Sequence, residues 1–270
     1  MTPFSSAQDS DFSGWLMYHS VGVFPGQQAA VTEVLARFTA DWYAPDDRRW
    51  DVGLKARDAL LSNWATLIGA EAAHVFGGRL AVTHDAGAVA FGAGPDGWDG
   101  PGFFGPLSQP LPMSLRQHRR WGDFYADERL APMAELAAPR LDASTRATID
   151  SVAARCRAGD FDSDDDGDRP ARLHGDLWGG NVMWTPDGVV LIDPAAHAGH
   201  RETDLAMLAL FGCPHYDAFL AGYQRVRPLR PGWRNRIGLH QLFPLLAHVV
   251  LFGGGYARQT HTAARTALEA

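Results

Sequence analysis

The sequence predicts an α+β fold: a mostly helical domain carrying one short β-hairpin, entered through a helical amino-terminal segment. Apolar residues recur at helical spacing over most of the 270 residues. Between Ala171 and Ile192 that period breaks into short apolar runs separated by turn residues. At that break stands His174-Gly175-Asp176-Leu177-Trp178-Gly179-Gly180-Asn181, followed by Leu191-Ile192-Asp193-Pro194. Its oxygen-bearing side chains are clustered around the predicted hairpin instead of being scattered over helices.

The elements follow in order. Val31, Val34, Leu35 and Phe38 fall at i, i+3, i+4 and i+7 of a helix spanning 31–42, and Leu60, Leu61, Trp64 and Leu67 mark a second over 52–68. The stretch 86–112 is rich in Gly and Pro and reads as a long loop. Ser114 is the expected N-cap of a helix to about Ala138, and Asp142 of the next, ending near Gly159. Residues 160–170 read as a solvated acidic connection. Strands are expected at 171–173, 181–184 and 189–192, with Pro186-Asp187-Gly188 turning between the last two. Helices follow over 203–211, 215–223, 233–252 with an interruption at Pro244, and 256–270 with a fraying end.

Composition narrows the function. A hydrophobic fraction of 46% with 20% charged residues is that of a globular chain. A net charge of −7 argues against a nucleic-acid partner, which favours a basic face. No apolar run reaches the roughly 20 residues of a membrane helix, and residues 1–11 lack the pattern of a secretory leader. Cys156 and Cys213 are too few for a disulfide framework, so a reduced cytoplasm is the expected location. Oligomeric state is not encoded in any pattern here.

Phosphoryl transfer from ATP requires a carboxylate to take the proton of the attacking hydroxyl, with an amide oxygen and a second carboxylate holding Mg²⁺ over the phosphates. Asp176 and Asn181 have the separation of the catalytic-loop Asp and Asn of protein kinases, and Asp193 stands as the later Asp that carries the metal there. Four further blocks carry a closer resemblance: 105–110 (GPLSQP), 121–130 (WGDFYADERL), 197–212 (HAGHRETDLAMLALFG) and 251–256 (LFGGGY). Together they resemble the fructosamine kinase (ketosamine-3-kinase) family, relatives of the aminoglycoside phosphotransferases, with Gly179 standing where that family usually has Ser. The resemblance implies a protein-kinase-like, mostly helical carboxy-terminal lobe over 74–270. It implies an ATP- and Mg²⁺-dependent kinase acting on a hydroxyl of a small sugar-amine substrate. Asp176 would be the catalytic base, with His174 beside it in the catalytic loop, and Asn181 and Asp193 would hold the metal and nucleotide. Asp204 would buttress the loop. Trp178 reads equally as a wall of the substrate pocket or as core, and Arg201 as a substrate contact or as an ion pair with Glu202.

Residues 1–73 form an atypical helical segment where the family has a β-rich lobe. The sole lysine, Lys55, lies in a helical pattern and not on a strand like the one that carries the phosphate-binding lysine of kinases. Trp15 to Pro25 and Trp50 to Ala70 resemble the amino terminus of class V aminotransferase-like enzymes, without any cofactor residue, so no pyridoxal phosphate chemistry is expected. The competing reading is therefore a pseudokinase or binding module without a normal ATP-binding lobe. Three patterns are set aside. Gly92 to Gly97 satisfies G-x-G-x-x-G, but no helix follows it. Asp162, Asp164 and Asp166 open a calcium-like loop whose twelfth position is Leu173. His197 and His200 are three apart with no evident third zinc ligand.

Overall fold

The computed structural model describes residues 69–106, 109–163, 168–185, 188–253 and 255–270. The expected helices over 31–42 and 52–68, Lys55, and the segment resembling aminotransferases lie outside the described residues. Helix α1 (Ala70–Asp85) runs without a break through the expected junction at 73/74. Then come the hairpin β1 (Gly102–Phe104) and β2 (Leu111–Met113), and the helical run α2 (Trp121–Tyr125), a π-helical turn (Ala126–Leu130) and α3 (Ala131–Ala137). Helix α4 (Ala143–Ala158) precedes β3 (Ala171–Leu173), β4 (Val182–Thr185), β5 (Gly188–Leu191) and β6 (His197–Gly199). Helices α5 (Glu202–Phe211), α6 (Tyr216–Val226), α7 (Trp233–Phe252) and α8 (Gly255–Leu268) close the chain. The described structure is thus mostly helical, with three antiparallel strand pairs: β1–β2, β3–β6 and β4–β5. Among the described residues no helix is long and apolar enough to cross a membrane.

The apolar periodicity builds two cores. One gathers Phe104, Phe124, Met133, Ile149, Leu242 and Leu246 from the β1–β2 hairpin, α2 to α4 and α7. The other gathers Phe76, Leu80, Trp184, Phe219 and Tyr223 from α1, β4 and α6. Helix α5 lies between them, sending Met207 into the first and Leu205 and Leu208 into the second. Its buried stretch runs to Leu208, with Ala209 left exposed, and α5 is the partition between the two cores.

Several expectations are corrected. The loop 86–112 contains the β1–β2 pair, with Gly102 opposite Met113. The helix expected from Ser114 begins only at Trp121, because His118 pairs with Phe91 through both backbone hydrogen bonds, at 2.8 and 3.1 Å, and holds the chain extended. The cap of α2 comes from far along the chain: Asp162 Oδ1 accepts from Gly122 N at 2.9 Å while Oδ2 accepts from Arg120. Residues 160–170 are therefore not a wholly solvated connection, since Asp162 is tied down and the Asp168 side chain is only 6% exposed. Asp142 does cap α4, accepting from Thr145 N at 2.6 Å, and Gly159 at φ 88° ends it.

Pro244 does not break α7, which continues to Phe252. Tyr125 instead enters the helix next to the proline. Its hydroxyl donates to Leu239 O at 2.7 Å and accepts from Phe243 N at 3.3 Å, bridging the two groups that an i to i−4 bond would join. The ladder is relayed through a side chain where proline already prevents the next bond.

Helices α1 and α6 touch backbone to backbone. A Cβ on Gly77 would lie 1.9 Å from Phe219 O, and one on Gly222 would lie 1.9 Å from His74 O. The neighbouring Gly78 has no heavy atom nearer than 3.6 Å. Gly77→Ala is therefore expected to destabilise the protein by about 1–3 kcal/mol through overpacking. Gly78→Ala should raise stability by up to about 1 kcal/mol by helix propensity. Urea unfolding of the two single variants measures both, and equal effects would contradict the close crossing.

Candidate active site

The site is built on the loop between β3 and β4. Strand β3 pairs with β6 in the register Leu173 to His197, delivering the chain to His174 at the end of a short sheet. Gly175 then turns at φ 84°, and a Cβ there would lie 2.1 Å from Ala195 O. Only glycine combines that backbone with so close an approach. Beyond the turn, Asp176 is half-buried, and a short 3₁₀ turn over Gly179–Asn181 leads into β4.

Asp204, on the first turn of α5, holds this loop. Its carboxylate is 1% exposed and accepts from His174 N at 2.8 Å and from Gly175 N at 3.0 Å. The third partner is His84 at the end of α1, whose Nε2 lies 3.1 Å from Asp204 Oδ2 and whose Nδ1 lies 2.8 Å from the Tyr223 hydroxyl. A buried carboxylate needs donors, so Nε2 carries the proton and Nδ1 accepts from Tyr223. Burial works to raise the Asp204 pKa, but the hydrogen bonds from His84 and the Gly175 N–H outweigh it and hold the carboxylate below its ordinary range.

The remaining groups are locked in turn. His174 Nδ1 accepts from Asp176 N at 3.3 Å, leaving Nε2–H to donate to Ile192 O at 2.9 Å. Asn181 donates from Nδ2 to Asp176 O at 2.9 Å and stands 3.4 Å from Asp176 Oδ2. The β4–β5 hairpin pairs Val182 with Leu191, and Ile192 N donates to Asn181 O at 3.1 Å. Asp193 therefore emerges beside Asn181, exposed and in the left-handed region at φ 51°, which Asp tolerates better than most residues. Two independent clasps, one from His174 and one from the Asn181 backbone, bring the hairpin back onto the loop.

Electrostatics marks Asp176. Burial, together with the negative charge of Asp204 and Asp193, pushes its pKa up to about 7 against a partial offset from Asn181. Among the described residues neither Asp176 nor Asp193 has an arginine ion pair. Crowded carboxylates without a cation, next to an amide, form an oxygen donor set suited to a hard divalent ion.

The other expected residues are placed as follows. Trp178 is half-buried, covers Gly180 and meets Phe211 edge-on at 6.4 Å between centroids. Arg201 is 5% exposed, and its guanidinium donates to Arg227 O at 3.2 Å and Pro228 O at 2.7 Å. Glu202 pairs with Arg236 at 2.7 and 3.0 Å, not with Arg201. His197 turns away from His200 and bonds Ala195 O at 2.8 Å. His200 instead gathers with Glu202 and His240 into a buried three-ligand grouping. That grouping is already filled: Arg236 occupies both Glu202 oxygens, and Asp168 lies 3.1 Å from His200 Nε2. His84 carried no local signal, since a histidine on a helix is ordinarily just a helix residue.

Comparison with known proteins follows the same lines. The family model for fructosamine kinase matches residues 48–270. A Synechocystis protein named Probable ketoamine kinase is 36% identical over 184 residues, which is 68% of this chain and 58% of that protein. The mouse ketosamine-3-kinase is 35% identical over 147 residues, covering 53% of this chain and 46% of the mouse protein. A Thermobifida fusca crystal structure, provisionally described as a fructosamine-3-kinase, superposes with a TM-score of 0.67 at 47% identity, over 75% of this chain and 66% of that one. The chain thus spans 58% of the length of the Synechocystis relative.

Two outcomes test the site. Removing the Asp204 carboxylate as Asp204→Ala leaves two backbone N–H groups and His84 without their acceptor, and should cost about 3–5 kcal/mol in urea unfolding. Asp176→Asn should act in the opposite direction. Its folded pKa is raised, so the stability it contributes is complete below its unfolded value and is lost as pH rises through about 7. Relative to the parent, Asp176→Asn should therefore gain stability between about pH 4 and about pH 8. A variant that loses ground over that range would show that Asp176 is paired with a cation.

Proposed function

Because the chain belongs to the fructosamine kinase family, we propose that it transfers the γ-phosphoryl group of ATP to a hydroxyl of a ketosamine or related small sugar-amine. The observation that carries this reading is the locked placement of Asp176 beside Asn181, with Asp193 returned to the same loop by the β4–β5 hairpin. The carboxylates crowd one another without a positive partner, which is the arrangement that chemistry calls for.

Asp176 accepts a hydrogen bond from the substrate hydroxyl. As the new O–P bond forms and ADP departs, the hydroxyl proton passes to the Asp176 carboxylate. A pKa near 7 in the ion-free protein suits a group that must take up a proton in mid-reaction and release it afterwards. The donor set of Asn181 and Asp193 fits Mg²⁺, which when bound screens the phosphate charge and lowers the pKa of Asp176 by Coulomb attraction. Asn181 commits its Nδ2 to the Asp176 carbonyl, so its Oδ1 is the end offered to the cation. His174 acts by position, tying the loop to Ile192 O. Asp204 fixes the loop backbone. Trp178 offers an apolar face two residues from the base, suited to the C–H face of a sugar. We assign Arg201 to holding the α6–α7 connection, since its two terminal nitrogens donate to two carbonyls there.

Turnover of Mg-ATP with a panel of ketosamines tests this. The parent chain should release ADP in a substrate-dependent manner, and Asp176→Ala should lower the rate by about 10²–10⁴ with little change in folding. Substrate binding without any ADP release in the parent would favour the pseudokinase reading, which none of the comparisons supports.

A further inference from the structure

The first turn of α5 carries two buried carboxylates two residues apart, Glu202 and Asp204. At about 100° per residue, a helix sends such side chains to nearly opposite sides. Asp204 faces the loop that holds Asp176. Glu202 faces α7, where the Arg236 guanidinium grips it with two bonds, Nη2 to Oε1 at 2.7 Å and Nε to Oε2 at 3.0 Å. Glu202 is 3% and Arg236 8% exposed. The remaining Arg236 nitrogen donates to Pro231 O at 3.2 Å, so the fork itself is fixed at the start of α7.

Packing alone does not ask for such a pair. Taking two charges out of water is costly, and apolar side chains of the same volume often stabilise a fold as well or better. What an apolar contact does not supply is direction. Two parallel bonds to a planar fork fix the angle at which the helix presents its other face. Direction matters here, because α5 has no side-chain cap of its own. Its neighbours supply fixed points instead. His200 faces Asp168 at 3.1 Å, the Arg201 guanidinium donates to Arg227 O and Pro228 O, and Thr203 meets His240 at 3.1 Å. Four consecutive residues, 200 to 203, are thus anchored before the chain reaches Asp204. The Asp204 bonds to His174 N and Gly175 N, at 2.8 and 3.0 Å, hold only within a window of about half an ångström. A small rotation of α5 breaks them.

We propose that the Glu202–Arg236 pair is a positioning device: it sets the rotation of α5 about its own axis and, through Asp204, the conformation of the loop that carries Asp176. Neither residue touches a reacting group; both act through Asp204. The effect on turnover rests on the kinase reading, whereas the effect on the loop does not.

Amide exchange in the full chain tests this without nucleotide. The His174 and Gly175 N–H groups are protected while Asp204 accepts them, and they exchange through local opening of the loop. Glu202→Gln keeps the shape of the side chain but sets an NH₂ group against the guanidinium, so exchange at these two amides should rise about tenfold or more. The most protected amides of α4 and α7 should keep their parental rates. A merely structural loss gives the reverse, speeding the core amides through global unfolding. The double variant Glu202→Leu with Arg236→Met removes both charges together and keeps the packing, so it should fold like the parent and still expose the loop amides. It decides if Glu202→Gln does not fold. On the kinase reading, both variants should lower kcat about tenfold or more, with KM for Mg-ATP near its parental value. A parent without turnover sinks that reading and leaves exchange to decide this one. Loop amides at the parental rate, acceleration spread evenly over the helices, or an unchanged kcat in an active parent overturns the proposal.

Discussion

The Asp204 carboxylate is the interaction on which the rest of the molecule depends. It is buried, receives two consecutive backbone N–H groups from the loop that carries Asp176, and is met from the other side by His84. Each bond to an ionised acceptor is worth more than a neutral one, and its removal would leave donors stranded in a dry interior. The loop has no regular ladder of its own after Leu173. Its conformation is imposed by one side chain of the following helix, so loop and helix can only be right together.

Burying that carboxylate dictates much of the packing. Helix α5 is buried over its first two turns, and the apolar residues divide into two cores with α5 between them. His84 must reach Asp204 from α1 and Tyr223 must reach His84 from α6, and the two helices approach closely enough for this because glycines stand at their crossing. Tyr223 in turn fixes the His84 tautomer. A chain of hydrogen bonds thus runs from α6 through α1 to the loop, and its geometry rests on the absence of two Cβ atoms.

The sequence foretold elements whose determinants are local. Asp142 and Gly159 bracket α4 because a cap and a left-handed glycine act within a few residues. The β4–β5 hairpin follows from apolar runs separated by turn residues, and the spacing of Asp176, Asn181 and Asp193 marks the loop. Determinants that lie far along the chain were illegible. Asp162 caps α2 from 40 residues away, so its place in an acidic run pointed to solvent. Ser114 looked like a cap, but pairing of His118 with Phe91 claims the backbone that the helix would have used. Pro244 predicted a break, and a hydroxyl from another helix carries the ladder past it. His84 is 120 residues from its carboxylate, and no window along the sequence contains both. The pairing of Glu202 with Arg236, and not with its neighbour Arg201, follows from helical geometry: adjacent residues on a helix point in different directions, whereas α7 presents Arg236 across the interface.

The same long-range logic governs the charge at the site. Asp204 is fully compensated by donors, so it can remain ionised in the interior. Its negative charge is then a fixed burden on Asp176, which lies close by with only Asn181 to favour ionisation. Asp193 adds to that burden, held near by the hairpin in a left-handed conformation that a β-branched residue would resist. Folding stability alone would favour replacing one of these acids, because like charges held together raise the free energy of the native state. Their retention around one loop makes sense where a divalent cation shares the space. On the proposed kinase reading the loop is a preassembled socket, in which a bound cation would relieve that repulsion. What the fold supplies is the rigidity to keep that repulsion from scattering the groups, and the source of the rigidity is the Asp204 clasp.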